Sequence, residues 1–281
     1  MRLSIRWGSA VLFLTMLAGP VPATEAPRVQ KAWDVLDAGV KEKSSSKRHD
    51  AVLALGLVQG EPRAITLAEA AAEDHAPEVR EAAAATLGKL NSPGSVPKLQ
   101  AMLNDPEISV VLAAAHSLLT FHDKRGYDVY YEILSGERKS GKGLIASQEA
   151  MLKDKKKLAE IGIEEGMGFS PFTSMGFEVF KMVHKDDVSP VRAAAARILA
   201  HDPDPRSGQE LVLSCSDKSW LVRVAALDAL SRRGDRTVLD DIEPHMDDEK
   251  DVVRYTAAAA ILRLSAAQSH QRLHSQEDPG W

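Results

Sequence analysis

The sequence has few of the residues that stabilise or charge many small proteins. Its 281 residues contain one cysteine, Cys215, so no intramolecular disulfide can form. Phe, Trp and Tyr make up only 5% of the chain, so small aliphatic side chains must supply much of the core packing. Lys and Arg number 35 against 40 Asp and Glu, which argues against a nucleic-acid partner, because such proteins need a basic surface.

The first residues have the pattern of a secretory signal peptide. Arg2 and Arg6 precede the short apolar run 10–18, and Val21-Pro22-Ala23 places small residues before a cleavage point. The run is too short to cross a membrane as a helix, which takes about 20 residues. We therefore predict a signal peptide at 1–23, cleaved after Ala23, with the periplasm as the expected compartment. The alternative is an uncleaved N-terminal anchor.

A short motif recurs along the chain at a nearly constant interval. In Asp217–Leu230 an aspartate is followed five residues later by Val-Arg, then by small residues and a leucine at helical spacing. Intervals between aligned copies are 31 or 32 residues, except for one of 81. A fixed period of this size is typical of a repeat array. The aligned positions are Arg48, Arg80, Val111, Arg192, Arg223 and Arg254.

Each period has the pattern of a helical hairpin. Val79, Ala83 and Leu87 fall on one stripe of a helix, and a second helical segment such as 96–103 precedes each motif, separated from it by Asp, Pro or Gly. Alanines at the motif centre allow neighbouring helices to approach closely. We predict an all-α fold, an α-solenoid of about seven stacked hairpins in which the fourth is degenerate and carries an insertion.

These motifs resemble HEAT repeats, most of all the short bacterial HEAT-like repeats named after phycobilisome lyases, over about 27–123 and 174–264. The resemblance implies a concave surface lined by the second helix of each hairpin, and a ladder of Asp and Arg between adjacent repeats. Glu42 replaces Asp in the first copy. Val111 replaces Arg after Asp105, so one rung is expected to be missing. The implied ladder places Asp74 with Arg80, Asp186 with Arg192, Asp217 with Arg223, and Asp248 with Arg254.

The long interval predicts an irregular insertion within the array. A helix is expected over 126–135 and a longer one over 144–165, whereas 166–176 contains three glycines and Pro171 and cannot be a regular helix throughout. Seven of the ten Phe and Tyr residues lie between Tyr127 and Phe180. The predicted organisation is an array over 24–265, made of N-terminal repeats 27–135, the insertion 136–176 and C-terminal repeats 177–265, followed by a flexible tail, 266–281.

The insertion is the first candidate for a contact surface. Its Phe side chains either fill the disrupted core or stay exposed as an apolar contact for a protein or a membrane. The lysines of 153–157 either form a solvated helix face or contact an acidic partner or anionic lipid. The candidate partner-binding residues are Met167, Phe169, Phe172, Phe177, Lys155 and Lys156. Further candidates on the concave side follow the motif arginine, at Glu81, Val224 and Tyr255.

No catalytic, cofactor-binding or metal-binding residue is predicted. The stretch 136–143 resembles a phosphate-binding loop, but Gly143 stands where Ser or Thr must hold magnesium. Di-iron hydroxylases among HEAT-like proteins use His-Glu pairs, and none of the nine His here is followed by Glu. Three His-Asp pairs lie at different phases of the repeats and are not expected to converge. They are His49-Asp50, His122-Asp123 and His201-Asp202.

The sequence therefore predicts a non-catalytic scaffold in the cell envelope. It is expected to bind an unidentified protein partner through the concave face, the aromatic insertion, or both. One alternative is a peripheral membrane-binding module that uses the Gly/Phe segment and the Lys-rich helix. The other is an enzyme of the lyase or hydroxylase type found among related repeats. Cys215 is expected to be a small buried hydrophobe rather than a reactive thiol.

Overall fold

The computed structural model describes residues 25–135 and 189–276. These two segments contain twelve α-helices and no strand. The helices are α1 (Glu25–Gly39), α2 (Ser45–Leu55), α3 (Pro62–Ala71), α4 (Pro77–Leu90), α5 (Val96–Met102), α6 (Ile108–Thr120), α7 (Arg125–Ser135), α8 (Ser189–Leu199), α9 (Pro205–Ser214), α10 (Trp220–Arg233), α11 (Leu239–Ile242) and α12 (Asp251–Gln276). Short 3-10 turns cover Pro93–Ser95, Arg236–Val238 and Glu243–Asp247.

The helices pair into hairpins, which confirms the all-α solenoid predicted from the period. The aligned motif position, which is Arg48, Arg80, Val111, Arg192, Arg223 or Arg254, lies in the first turn of a second helix, namely α2, α4, α6, α8, α10 or α12. The second helices pack directly on one another, whereas α3, α5 and α9 pack mainly on their own second helices. Because the second helices lie closer together, their layer forms the inner side of the array.

Local sequence signals account for the helix ends. Pro62, Pro77 and Pro205 begin their helices at the first turn, where the missing amide proton has no helical partner to lose. Asn91 and Gly234 end α4 and α10 in the left-handed conformation.

Small residues at the centre of each second helix let the inner layer close up. The alanines of α4, α6 and α12 at 82–84, 113–115 and 257–260 are almost fully buried. Hydroxyl groups then bridge adjacent repeats: Thr86 Oγ1 donates to the carbonyl of Val52 at 2.9 Å, and Ser117 Oγ to that of Ala84 at 2.9 Å. These two bonds are equivalent in the repeat register, so the same close approach is used twice.

The order of the array differs from the order of the chain. The last helix, α12, packs on α1 and α2, so the first and last hairpins are neighbours. The inner layer therefore runs α8, α10, α12, α2, α4, α6. A large aromatic residue in α1, such as Trp33, would suit a terminal repeat that covers an open end of the core. Here α12 covers this end, and Trp33 is buried, with the Arg63 guanidinium 4.7 Å from its ring centroid.

The C-terminal helix is longer than the repeat pattern indicated. We expected the array to end at Ser265, and α12 continues to Gln276. Despite its length, neither α12 nor any other helix in the described part of the chain has the apolar content needed to cross a membrane.

Candidate interaction surface

A ladder of ion pairs joins successive second helices. Arg48 Nε and Nη2 donate to the two carboxylate oxygens of Asp74 at 2.8 and 2.7 Å, and Arg80 binds Asp105 in the same way at 2.7 and 2.8 Å. In the C-terminal half Arg192 pairs with Asp217, and Arg223 Nη2 lies 2.8 Å from Asp248. Each arginine thus binds the aspartate of the following repeat.

This pairing corrects the one that the resemblance implied. Arg80 does not pair with the carboxylate of Asp74 in its own motif; its Nη1 binds the backbone carbonyl of Asp74 at 2.9 Å. The physical reason lies in the turn, where the Asp74 carboxylate accepts the Ala76 amide at 2.8 Å and thereby faces the preceding repeat. Asp217 and Asp248 accept the amides of Ser219 and Lys250 in the same way.

Two of the ladder carboxylates, Asp74 and Asp105, have a pKa below the ordinary value. Burial by itself would raise the pKa of Asp74, but the hydrogen bonds from Arg48 and the Ala76 amide bring the pKa below its ordinary value. Asp105 has a lowered pKa because bonds from Arg80 and the Glu107 amide outweigh its burial. Both carboxylates are bound by the arginine of the preceding repeat, and their role is therefore structural.

The ladder changes at its two irregular points. Val111 provides no guanidinium, and Asp123, the next turn aspartate, is instead bound by Arg125 and Gln100, each at 2.8 Å. At the C-terminal end Arg254 pairs with Asp251 and with the carbonyl of Asp248. Asp186 lies outside the described residues.

Opposite charges line the junction between the first and last hairpins. Arg28 binds Glu243 at 2.5 Å and also Asp240, and Lys31 Nζ lies 2.6 Å from Asp247. The cations come from α1 and the carboxylates from the last hairpin, so charge complementarity supports the apolar contact of α12 with α1 and α2.

We define an inner stripe on the second helices as the residues one, five and nine places after each motif arginine, or after Val111 in α6. Some of these side chains are half-exposed and others are buried. In α4 these are Glu81, Ala85 and Lys89, and in α6 Leu112, His116 and Thr120. Two of the three concave candidates are wrong: Val224 and Tyr255 are only 4% and 3% exposed. Tyr255 is buried because it packs at the junction, where it faces Gly39 of α1.

Sequence reasoning missed the charged part of the inner stripe. Arg197 of α8, Asp228 and Arg232 of α10, and Arg263 of α12 lie on three neighbouring second helices. Extending the repeat alignment beyond the motif would have found them, because Arg197 and Asp228 share one register position and Arg232 and Arg263 share another.

Exposed aromatic residues occur on α7, the first helix that follows α6. Tyr127 and Tyr131 are 56% and 68% exposed, whereas Val129 between them is buried. The partner-binding residues predicted in the insertion all lie outside the described residues, as does the rest of 136–176. They are Met167, Phe169, Phe172, Phe177, Lys155 and Lys156.

Cys215 is buried, as expected, and its thiol donates to the Leu211 carbonyl at 3.4 Å. Burial raises its pKa to about 12, so it is a poor nucleophile in the folded chain.

The His-Asp pairs are engaged locally and lie on separate hairpins. His49 Nδ1 lies 3.1 Å from Asp50, Asp123 binds Arg125, and the Asp202 carboxylate accepts the Asp204 amide. Within 25–135 and 189–276, no three His, Cys, Asp or Glu side chains are grouped to hold a metal ion.

The hairpins, the shared inner layer and the ion-pair ladder define an α-solenoid. A family model described as HEAT repeats matches residues 34–119 and 178–262. The chain therefore belongs to the HEAT-repeat proteins.

Two solved structures resemble the chain at low identity. One is the complex of CpcE and CpcF of phycocyanin lyase from Nostoc sp. PCC7120, with 21% identity, a TM-score of 0.33, and coverage of 89% of this chain and 98% of that one. The other is human deoxyhypusine hydroxylase in complex with glycerol, with 16% identity, a TM-score of 0.31, and coverage of 86% and 88%. No curated protein matches the sequence. Neither likeness bears on the activity of this chain.

Proposed function

We propose that this HEAT-repeat protein is a non-catalytic scaffold that binds a protein partner on its inner stripe. The observation that carries the proposal is the division of charge in the inner layer. The ladder arginines and aspartates bind one another between repeats, and a second set of charged side chains, those of Glu81, Lys89 and Arg232, lies partly exposed on the inner stripe. A curved inner layer with a fixed frame and accessible side chains suits an extended partner.

The exposed face of α7 supports the same function. Tyr127 and Tyr131 offer apolar area with a hydroxyl group at the tip, a combination enriched at protein interfaces. They lie on α7, which packs on α6, and we include them in the proposed contact surface as a second patch. The membrane alternative depends on the Gly/Phe segment and Lys-rich helix, and nothing in the described helices favours it.

Export to the cell envelope is part of the proposal and depends on the N-terminal sequence. Arg2, Arg6 and the apolar run 10–18 support a signal peptide. Amino-terminal sequencing of the protein recovered from its native cell tests this point. A mature terminus at Thr24 supports export, and an intact Met1 in the cytoplasmic fraction rejects it.

Site-specific photocrosslinking tests the binding surface. A benzoylphenylalanine is placed at Glu81 or Arg232 on the inner stripe, or at the exposed positions Thr66 and Glu210 on the first helices. The proposal expects one partner protein to be crosslinked from both inner positions and from neither outer position. Equal crosslinking from the inner and outer sets contradicts it.

A further inference from the structure

Four charged residues are grouped on the inner stripe of three neighbouring second helices. Arg197 is on α8, Asp228 and Arg232 are on α10, and Arg263 is on α12. The repeat register places Arg197 beside Asp228 and Arg232 beside Arg263, because each pair is separated by 31 residues. The stacking of α8 on α10 and of α10 on α12 brings these equivalent positions together.

The contacts leave two of the three guanidinium groups without a carboxylate partner. Arg232 Nε donates to both oxygens of Asp228 at 3.0 Å, and Asp228 is only 4% exposed. Arg263 Nη1 reaches the backbone carbonyl of Leu57, across the junction, at 3.3 Å. Arg197 makes no hydrogen bond or ion pair with the residues that the structure describes.

The cluster therefore holds an excess of positive charge in a half-buried position. Burial lowers the pKa of Arg197, and the nearby charge of Arg232 lowers it further, although Asp228 opposes the change. Burial and Arg232 lower the pKa of Arg263 in the same way. Charged groups removed from water normally have partners of opposite sign, because desolvation disfavours an isolated charge.

We propose that Arg197, Arg232 and Arg263 bind the carboxylates of an acidic segment in a protein partner, an inference that rests on the proposed scaffold function. Guanidinium groups suit this role, since their planar forks match a carboxylate and they remain charged at any physiological pH.

The geometry favours an extended acidic segment over one compact anion. Packed helices lie about 8–10 Å apart, so the two outer arginines, on α8 and α12, are separated by roughly 16–20 Å. An extended peptide covers that span with about five or six residues at 3.3–3.6 Å each. Asp228 lies between the two outer arginines and repels a dianion placed at the centre of the cluster.

Peptide binding to the full chain tests the site. The probes are labelled Gly/Ser peptides with two Glu residues about three to nine positions apart, matched by peptides with Gln in place of Glu. The variants are Arg197→Gln and Arg263→Gln, with Arg206→Gln as control, because the Arg206 side chain is 85% exposed on a first helix. Circular dichroism establishes that each variant is folded.

The site predicts that the Glu peptide with about six-residue spacing binds best and that its affinity falls as salt rises. Affinity should fall at least about tenfold in Arg197→Gln and Arg263→Gln, as expected for loss of a charge-assisted bond, and stay unchanged in Arg206→Gln. Asp228→Asn should bind more tightly, because it removes the repelling carboxylate. This variant keeps the test decisive if an arginine variant fails to fold.

Three results would overturn the inference. They are equal binding of the Glu and Gln peptides, unchanged affinity in both arginine variants, and saturable binding of inorganic phosphate to these arginines with no preference for the peptide. The photocrosslinking result is separate from all three. Crosslinking from Glu81 and Arg232 without any Glu-peptide binding supports the scaffold and rejects the acidic-segment site. Glu-peptide binding without crosslinking from these two positions rejects the inner stripe as the surface that binds the protein partner.

Discussion

Arg80 and Asp105 join two successive repeats through a bidentate ion pair, with N–O distances of 2.7 and 2.8 Å and both side chains largely buried. The same guanidinium binds the backbone carbonyl of Asp74 at the turn of its own hairpin. One side chain therefore fixes a turn and the spacing of two repeats. This double role explains why the motif arginine recurs with the period of the fold.

Replacing Arg80 with Met should destabilise the protein by about 3 kcal/mol, because it leaves the largely buried Asp105 carboxylate without its ion-pair partner. Urea unfolding followed by circular dichroism measures the change. Lys98→Met is the matched control, since Lys98 is partly exposed and its partner Glu73 is 74% exposed, so loss of this pair should cost less than about 1 kcal/mol. Equal losses in the two variants would mean that the ladder contributes no more than a surface pair.

Acid should weaken the turn that follows α6. Hydrogen bonds from Arg125 lower the pKa of Asp123 from 3.8 to about 2. The unfolded chain then binds a proton at this site more readily than the folded chain, so the stabilisation is present above pH 3.8 and is lost as the pH falls towards 2.

Asp123→Asn should therefore be less stable than the wild type at neutral pH and should lose less additional stability between pH 3.8 and 2. Urea midpoints at several pH values measure both effects. A variant that loses stability in parallel with the wild type throughout this interval would show that Asp123 is not responsible.

Cys215 should be unreactive in the folded protein. Burial raises the pKa of its thiol to about 12, and both low thiolate content and restricted access oppose attack. Ellman's reagent at about pH 8 should detect no thiol in the native chain and one after unfolding in guanidinium chloride. Rapid stoichiometric labelling before unfolding would contradict the buried position.

Gly39 should be intolerant of a side chain, because α1 meets α12 at this residue. A Cβ there would lie 2.6 Å from Tyr255 Cε1 and 2.7 Å from the Cβ of Ala51. Gly39→Ala should therefore cost about 1–3 kcal/mol through overpacking. Gly94→Ala is the control, since the nearest atom to its added Cβ is 3.7 Å away. A tolerated alanine at Gly39 would argue against close packing of the first and last hairpins.

The hairpins could be predicted from the sequence, because the Asp-x4-Val-Arg spacing indicates both a turn and the start of a helix. The pairing of the ladder residues could not be predicted from the sequence. Asp74 lies six residues from Arg80 along the chain, but its carboxylate binds Arg48 of the preceding repeat. The position of Tyr255 was also misjudged. It shares a register position with the half-exposed Glu81 but lies at the junction, and periodicity does not say which repeats adjoin when the two ends of an array meet.

The central claim is that the first and last hairpins join, so that Arg263 of α12 lies beside α2 on one continuous inner layer. The direct measurement is to insert a protease site after Gly143, cleave the purified chain and determine its mass by size exclusion with light scattering. Joined hairpins predict that the two pieces remain together as a one-to-one complex and dissociate more readily in Arg28→Glu, which places like charges opposite Glu243 and Asp240. Separation of the wild-type pieces immediately after cleavage would contradict the claim.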